Sequence, residues 1–165
     1  MLVGDLDSAK SYDNSYEIIK LNPIKDETDL EYIIKLITEN KLTKNVHIFS
    51  ALGKRMDHTL ANIFTLKAFL DNNISACIYD SYNKIQMFKD ELNISADGYK
   101  YLSIIPVEDK NKIYADGVKY ALNGECLNPF TSRGISNEII GNFAHIQANV
   151  PTVIIQSNDN INEEF

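Results

Sequence analysis

Residues 46–79, VHIFSALGKRMDHTLANIFTLKAFLDNNISACIY, decide the fold. Val46 to Ser50 is a short strand. Leu60, Ile63, Phe64 and the run Lys67 to Leu70 then fit a helix beginning near Asp57, and Ile74 to Tyr79 is a second strand. Upstream the same alternation holds. Leu30, Ile33, Ile34 and Ile37 recur at the spacing of an amphipathic helix, and Tyr16 to Leu21 before them is strand-like. Alternating strands and helices predict a parallel sheet with covering helices.

Downstream of Tyr79 the character changes. Lys84–Phe88, Leu102–Val107, Ile113–Ala115, Gly117–Leu122, Phe143–Ala148 and Val153–Gln156 are short apolar or alternating segments without a helical stripe. Asp116-Gly117 and Asn123-Gly124 have the composition of hairpin turns. An antiparallel β-sandwich is expected there. The fold class is thus α/β followed by β, with domains at 1–82 and 83–165 and a polar tail from Ser157 that frays.

Composition excludes several function classes. With 165 residues and 44% hydrophobic content the chain can bury a core. Its net charge of -7 argues against nucleic-acid and anionic-membrane partners, which need a basic face. Cys77 and Cys126 fit no zinc spacing and are expected as free thiols in a reducing compartment. No signal peptide and no apolar run long enough to span a bilayer is present, so a cytoplasmic location is expected.

Four segments carry chemistry. In Gly4-Asp5-Leu6-Asp7-Ser8, residues two apart on an extended backbone point the same way, so Asp5 and Asp7 suit one hard cation. An acidic turn is the plain alternative. In Lys25-Asp26-Glu27-Thr28-Asp29-Leu30-Glu31, Thr28 and Glu31 have capping-box spacing, while Asp26 and Asp29 are possible acidic ligands and Lys25 a phosphate contact. Gly53-Lys54-Arg55-Met56-Asp57-His58 follows a strand and opens a helix, a plausible phosphate cradle in which Asp57 is alternatively the N-cap. His58 alone is weak evidence, and no P-loop sequence exists. Ser132-Arg133-Gly134-Ile135-Ser136-Asn137-Glu138 taken alone is a turn between strands.

Together, GDLDS, KDETDLE, GKRMDHTLANI, GVKYAL and SRGISNE stand in an order that resembles the motif series of the thiamine pyrophosphokinases, the last motif resembling the bacterial branch. The likeness runs from Val3 to about Gln156. It implies an ATP-binding α/β domain, a thiamine-binding β-sandwich and a homodimer with thiamine near the subunit interface. It further implies that Asp5, Asp7 and Asp29 hold magnesium and the ATP phosphates and serve catalysis. Lys25, Asp26, Thr28, Arg55, Asp57, His58 and Asn62 would surround the nucleotide, and Ser132, Ser136 and Asn137 would lie beside thiamine. Members of that family carry further βα units before the GDxDS motif, so the α/β half is expected to be N-terminally incomplete. Two other readings compete. One treats GDLDS as the acidic motif of an aspartyl-phosphate phosphatase, which wants a full hydrophobic strand before it. The other is a non-catalytic thiamine-binding or dimerising remnant of the family.

Overall fold

The computed structural model describes residues 2–4, 18–20 and 28–159, with the backbone path alone for 2–4, 18–20 and Asp29. The chain divides into two units, Met1–Lys44 and Asn45–Phe165. In the first, strands β1 (Leu2–Gly4) and β2 (Ile18–Lys20) pair in parallel, and helix α1 spans Asp29–Asn40. The cap of α1 is the one its spacing predicts. Thr28 Oγ1 accepts from Glu31 N at 3.2 Å while Glu31 Oε2 accepts from Thr28 N at 2.7 Å, so two end groups are satisfied reciprocally. Ile34 is the buried member of the expected stripe, and Leu30, Ile33 and Ile37 are half-buried.

In the second unit, β3 (Asn45–Phe49), α2 (Met56–Asp71) and β4 (Ser75–Tyr79) form the expected strand–helix–strand. β3 and β4 pair in parallel, from Asn45↔Ser75 to Phe49↔Tyr79. Helix α2 buries Leu66 and Phe69, whereas Leu60 and Phe64 stay half-exposed. The helix is apolar on more than one side: of the residues expected to be apolar contacts Phe69 is buried and Ile63 and Leu70 are half-buried, while Leu66, outside that set, is buried in place of Leu60 and Phe64.

β4 turns into β5 (Asn83–Ser95), which runs antiparallel to it; Asp80 Oδ1 closes the connection by accepting from Tyr82 N and Asn83 N. The sheet then continues through β9 (Phe143–Ser157) to β7 (Asn111–Asp116) and β8 (Leu122–Leu127), with β6 (Tyr101–Pro106) also on β9. Long strands β5 and β9 pair along both halves, and the register shifts between Phe88 and Asp90. The halves enclose Phe88, Ile94, Leu102, Ile104, Ile113, Ile146 and Ile154. Both cysteines are free, Cys77 buried and Cys126 exposed.

Three sequence expectations need correction. Gly117–Leu122 is not a strand, since Val118 makes only an isolated bridge to Ile139 and the ladder begins at Leu122. Asn123-Gly124 is not a hairpin turn. Gly124, at φ 88°, lies in β8 where the pairing with β7 slips between Ile113 and Tyr114, a bulge that needs the same left-handed backbone as a turn. The segments 143–148 and 153–156 are one strand. Pro151 does not break it because it falls at the register shift, where a missing N–H costs no ladder bond.

Candidate active site

β3 ends at Phe49, and Ser50 follows in the left-handed region at φ 61°. For a residue other than glycine that geometry costs roughly 1–2 kcal/mol, the kind of strain concentrated at functional turns. The turn is stitched to α2 at two points. Asn62 Nδ2 donates to Ala51 O at 2.7 Å, and Thr59 Oγ1 accepts from Gly53 N at 3.1 Å. The helix starts at Met56 with Arg55 as N-cap, so Asp57 is a first-turn residue and not the cap.

Arg55 and Asp57 form a two-point pair, Nε to Oδ1 at 3.2 Å and the terminal guanidinium nitrogen to Oδ2 at 2.5 Å. Both side chains are open to solvent, at 71% and 65%. The Arg55 guanidinium, hydrogen-bonded to Asp57, holds that carboxyl down at about 2. His58 is exposed on the same helical turn. The start of a 16-residue helix thus presents donors, a fixed cation and a helix-dipole end together at the C-terminal end of a parallel strand, where open α/β sheets bind ligands. Asn62 holds the turn to the helix.

A second region lies between β8 and β9. Ser132, Arg133 and Ser136 are exposed. Ser136 sits at φ 57°, and its N–H donates to Ser103 Oγ at 3.2 Å. Gly134 is pressed on β6: a Cβ there would lie 2.0 Å from Ile104 O, and Ile104 N donates to Gly134 O at 2.8 Å. Asn137 is buried, and its amide is directed at the backbone of Tyr120 and Glu138. Tyr120 belongs to the GVKYAL segment, but no sequence signal showed that Asn137, 17 positions away, holds its backbone. A cleft of about 620 Å³ is lined by Tyr120, Ala121, Leu122, Thr131, Ser132 and Arg133.

Asp5, Asp7, Lys25 and Asp26 lie outside the described residues. Thr28 caps α1 as described, and Asp29 is that helix's first residue. Among the described residues no three His, Cys, Asp or Glu side chains are grouped to hold a metal ion, and no helix is long and apolar enough to cross a membrane.

Residues 1–78 match the family model for the thiamin pyrophosphokinase catalytic domain, and residues 89–153 match that for the thiamin pyrophosphokinase vitamin B1 binding domain. Thiamin pyrophosphokinase 1 of Caenorhabditis elegans is 27% identical over 150 residues, 84% of this chain. Thiamine pyrophosphokinase 3 of rice (Oryza sativa subsp. japonica) is 33% identical over 85 residues, 45% of this chain. The chain spans 62% and 32% of the lengths of these two curated relatives. A crystal structure of thiamine pyrophosphokinase from Bacillus subtilis superposes with a TM-score of 0.79 at 32% identity, covering 87% of this chain and 67% of that one. Both halves match in chain order, and the solved structure agrees in sequence and in fold: the chain belongs to the thiamin pyrophosphokinase family.

Proposed function

We propose that the protein transfers a pyrophosphoryl group from ATP to the hydroxyl of thiamine, giving thiamine diphosphate and AMP. One observation carries this reading. The catalytic-domain match contains the strained turn and the Arg55–Asp57 helix start, and the vitamin B1 binding match contains the cleft and the 131–137 connection. We assign residues 1–82 to the nucleotide and 83–165 to thiamine.

The thiamine hydroxyl oxygen attacks the β-phosphorus in line. A new O–P bond forms as the bond from that phosphorus to the oxygen bridging it to the α-phosphorus breaks. AMP leaves with that oxygen, and the hydroxyl proton passes to a carboxylate or to solvent. Most of the catalysis is positioning and charge neutralisation. Arg55 grips phosphate oxygens with paired donors, and Asp57 keeps the guanidinium oriented. Lys25, Asp26, Thr28 and His58 lie around the nucleotide, with Asn62 bracing the turn. Ser132 and Ser136 serve thiamine.

Asp5, Asp7 and Asp29 hold magnesium in this reading. Carboxylate oxygens suit a hard cation. The placement also fits, since β1 ends at Gly4 directly before Asp5 and Asp29 opens α1. Magnesium there would neutralise phosphate charge, which explains how a chain of net charge -7 accepts ATP. The working unit is a cytoplasmic homodimer.

Calorimetric titration with Mg-ATP and with thiamine separately, followed by assay for AMP and thiamine diphosphate, tests the reading. Both ligands are expected to bind and both products to form. Thiamine binding alone, without product, would identify a non-catalytic binding module. Sedimentation of the same sample is expected at twice the chain mass, and a monomer would remove the shared site.

A further inference from the structure

The ladder of β3 with β4 ends at Phe49, so the turn at 50–55 is fixed by other means. Ser50 at its start is left-handed, at φ 61°. A residue so placed persists only where its surroundings over-determine it. Arg55 at the other end caps α2 without a side-chain hydrogen bond. The described ties between these points come from two α2 side chains. Asn62 Nδ2 donates to Ala51 O at 2.7 Å. Thr59 Oγ1 accepts from Gly53 N at 3.1 Å and donates to Gly53 O at 3.3 Å. One hydroxyl thus engages both backbone groups of the one residue in the turn that has no side chain.

Thr59 and Asn62 are three positions apart on the helix and so lie on the same face. Both are half-buried, whereas Lys54, Arg55, Asp57 and His58 are exposed. The residues that hold the turn and the charged residues it displays are therefore different ones. This division has an energetic consequence. Glycine loses more conformational freedom on being fixed than any other residue. A turn ordered only on arrival of a polyphosphate would bind it more weakly by that loss. The Thr59 hydroxyl fixes Gly53 beforehand, in the folded chain without ligand. It also settles which donors face outward. The Gly53 N–H is engaged by Thr59, so the turn offers the charged side chains of Lys54 and Arg55 in its place.

Resting on the proposed function, we infer that Thr59 is a positioning residue for the nucleotide: without touching it, the hydroxyl holds the 50–55 turn in the shape from which Arg55 meets phosphate. The test uses the full chain with two substitutions. Thr59→Val keeps nearly the same shape and removes the hydroxyl; Thr59→Ser keeps the hydroxyl. Calorimetry measures Mg-ATP and thiamine separately, and NMR follows amide exchange of Gly53 without ligand. Thr59→Val is expected to weaken Mg-ATP binding about fivefold, the size of a lost net hydrogen bond, and to leave thiamine affinity within about twofold. Gly53 amide exchange is expected to speed up by about fivefold as well, because the turn opens more often. Thr59→Ser is expected to match the parent in all three measurements, a rescue that general loss of stability does not give. A Thr59→Val protein with the parent's Mg-ATP affinity overturns the inference while leaving the nucleotide reading intact. So does one that loses both ligands equally, or a Thr59→Ser protein as weak as Thr59→Val. A parent protein that does not bind Mg-ATP overturns that reading and the inference with it.

Discussion

The turn after β3 and the connection between β8 and β9 are built in opposite ways. In the first, Arg55 and Asp57 are open and bond to each other in solvent, a Cβ at Gly53 would meet nothing within 4 Å, and the described ties of the backbone come from helix side chains, Asn62 to Ala51 O and Thr59 to Gly53. In the second, the backbone is fastened to its surroundings. Leu102 and Asn137 exchange two backbone bonds at 2.8 Å, Ile104 N reaches Gly134 O, and Ile140 N reaches Gly117 O. The difference follows from what each would bind. A polyphosphate is gripped by long charged side chains set at a helix start, which can adjust. A small heterocycle is recognised by shape, and shape needs a fixed frame.

The largest effect expected from this contrast is on stability. Gly134→Ala forces a Cβ to within 2.0 Å of Ile104 O, a backbone atom that cannot step aside without breaking the Ile104–Gly134 bond. Overpacking of this sort costs about 1–3 kcal/mol or more. For a chain of this size each kcal/mol lowers Tm by roughly 2–4 °C. Gly53→Ala, with nothing within 4 Å of its Cβ and no positive φ, is expected to change stability by less than about 1 kcal/mol. Thermal unfolding of the two variants side by side checks the contrast, and equal melting temperatures would refute it.

Next in size is a difference in ligand response. Arg55→Ala removes charge-assisted contacts to phosphate and is expected to weaken Mg-ATP binding by about tenfold or more while leaving thiamine affinity nearly unchanged. The side chain is exposed and its only described ion pair is with Asp57, so little of the fold depends on it. Calorimetry with each ligand separates the two effects. Loss of thiamine binding with ATP retained would show that the division of labour between the two regions is wrong.

The two regions also differed in how far sequence could reveal them. The strand–helix–strand of residues 45–79 and the cap at Thr28 were legible because both are local: hydrophobic period and a three-residue spacing suffice. The β half was legible as strands but not as a connected sheet. Asn-Gly signals a left-handed backbone, and that demand is the same in a hairpin turn and in the bulge at Gly124. The second half of β5, KDELNIS, looks too polar for a strand, yet it alternates: Leu92 and Ile94 face the core while Glu91 and Asn93 face solvent. Segments 143–148 and 153–156 read as separate strands because the residues between them lie where two pairing registers meet. At the site, Ser132 and Arg133 were found by motif and do line the cleft. The buried role of Asn137 in holding Tyr120 was not, because that pairing is set by how strands and connections meet in space.

The smallest effect concerns the charge state of the open turn. Asp57 is held at about 2, chiefly by its hydrogen bond from the Arg55 guanidinium. A carboxyl whose folded-state pKa is depressed contributes stability above its unfolded value near 4, and that contribution is lost as pH falls through about 2. From pH 5 to 9 the pair therefore does not titrate, and it adds no pH dependence to nucleotide binding in that range. Because both groups are solvent-exposed, salt screens the attraction and the contribution to stability is small. Carbon-detected NMR titration of the Asp57 carboxyl is expected to give a midpoint near 2 in the parent protein, rising toward the ordinary carboxylate range in Arg55→Gln and, more modestly, at high salt. A parent midpoint already in the ordinary range would mean that the two side chains are not paired in solution, and the turn would then offer Arg55 to phosphate without a carboxylate holding it in place.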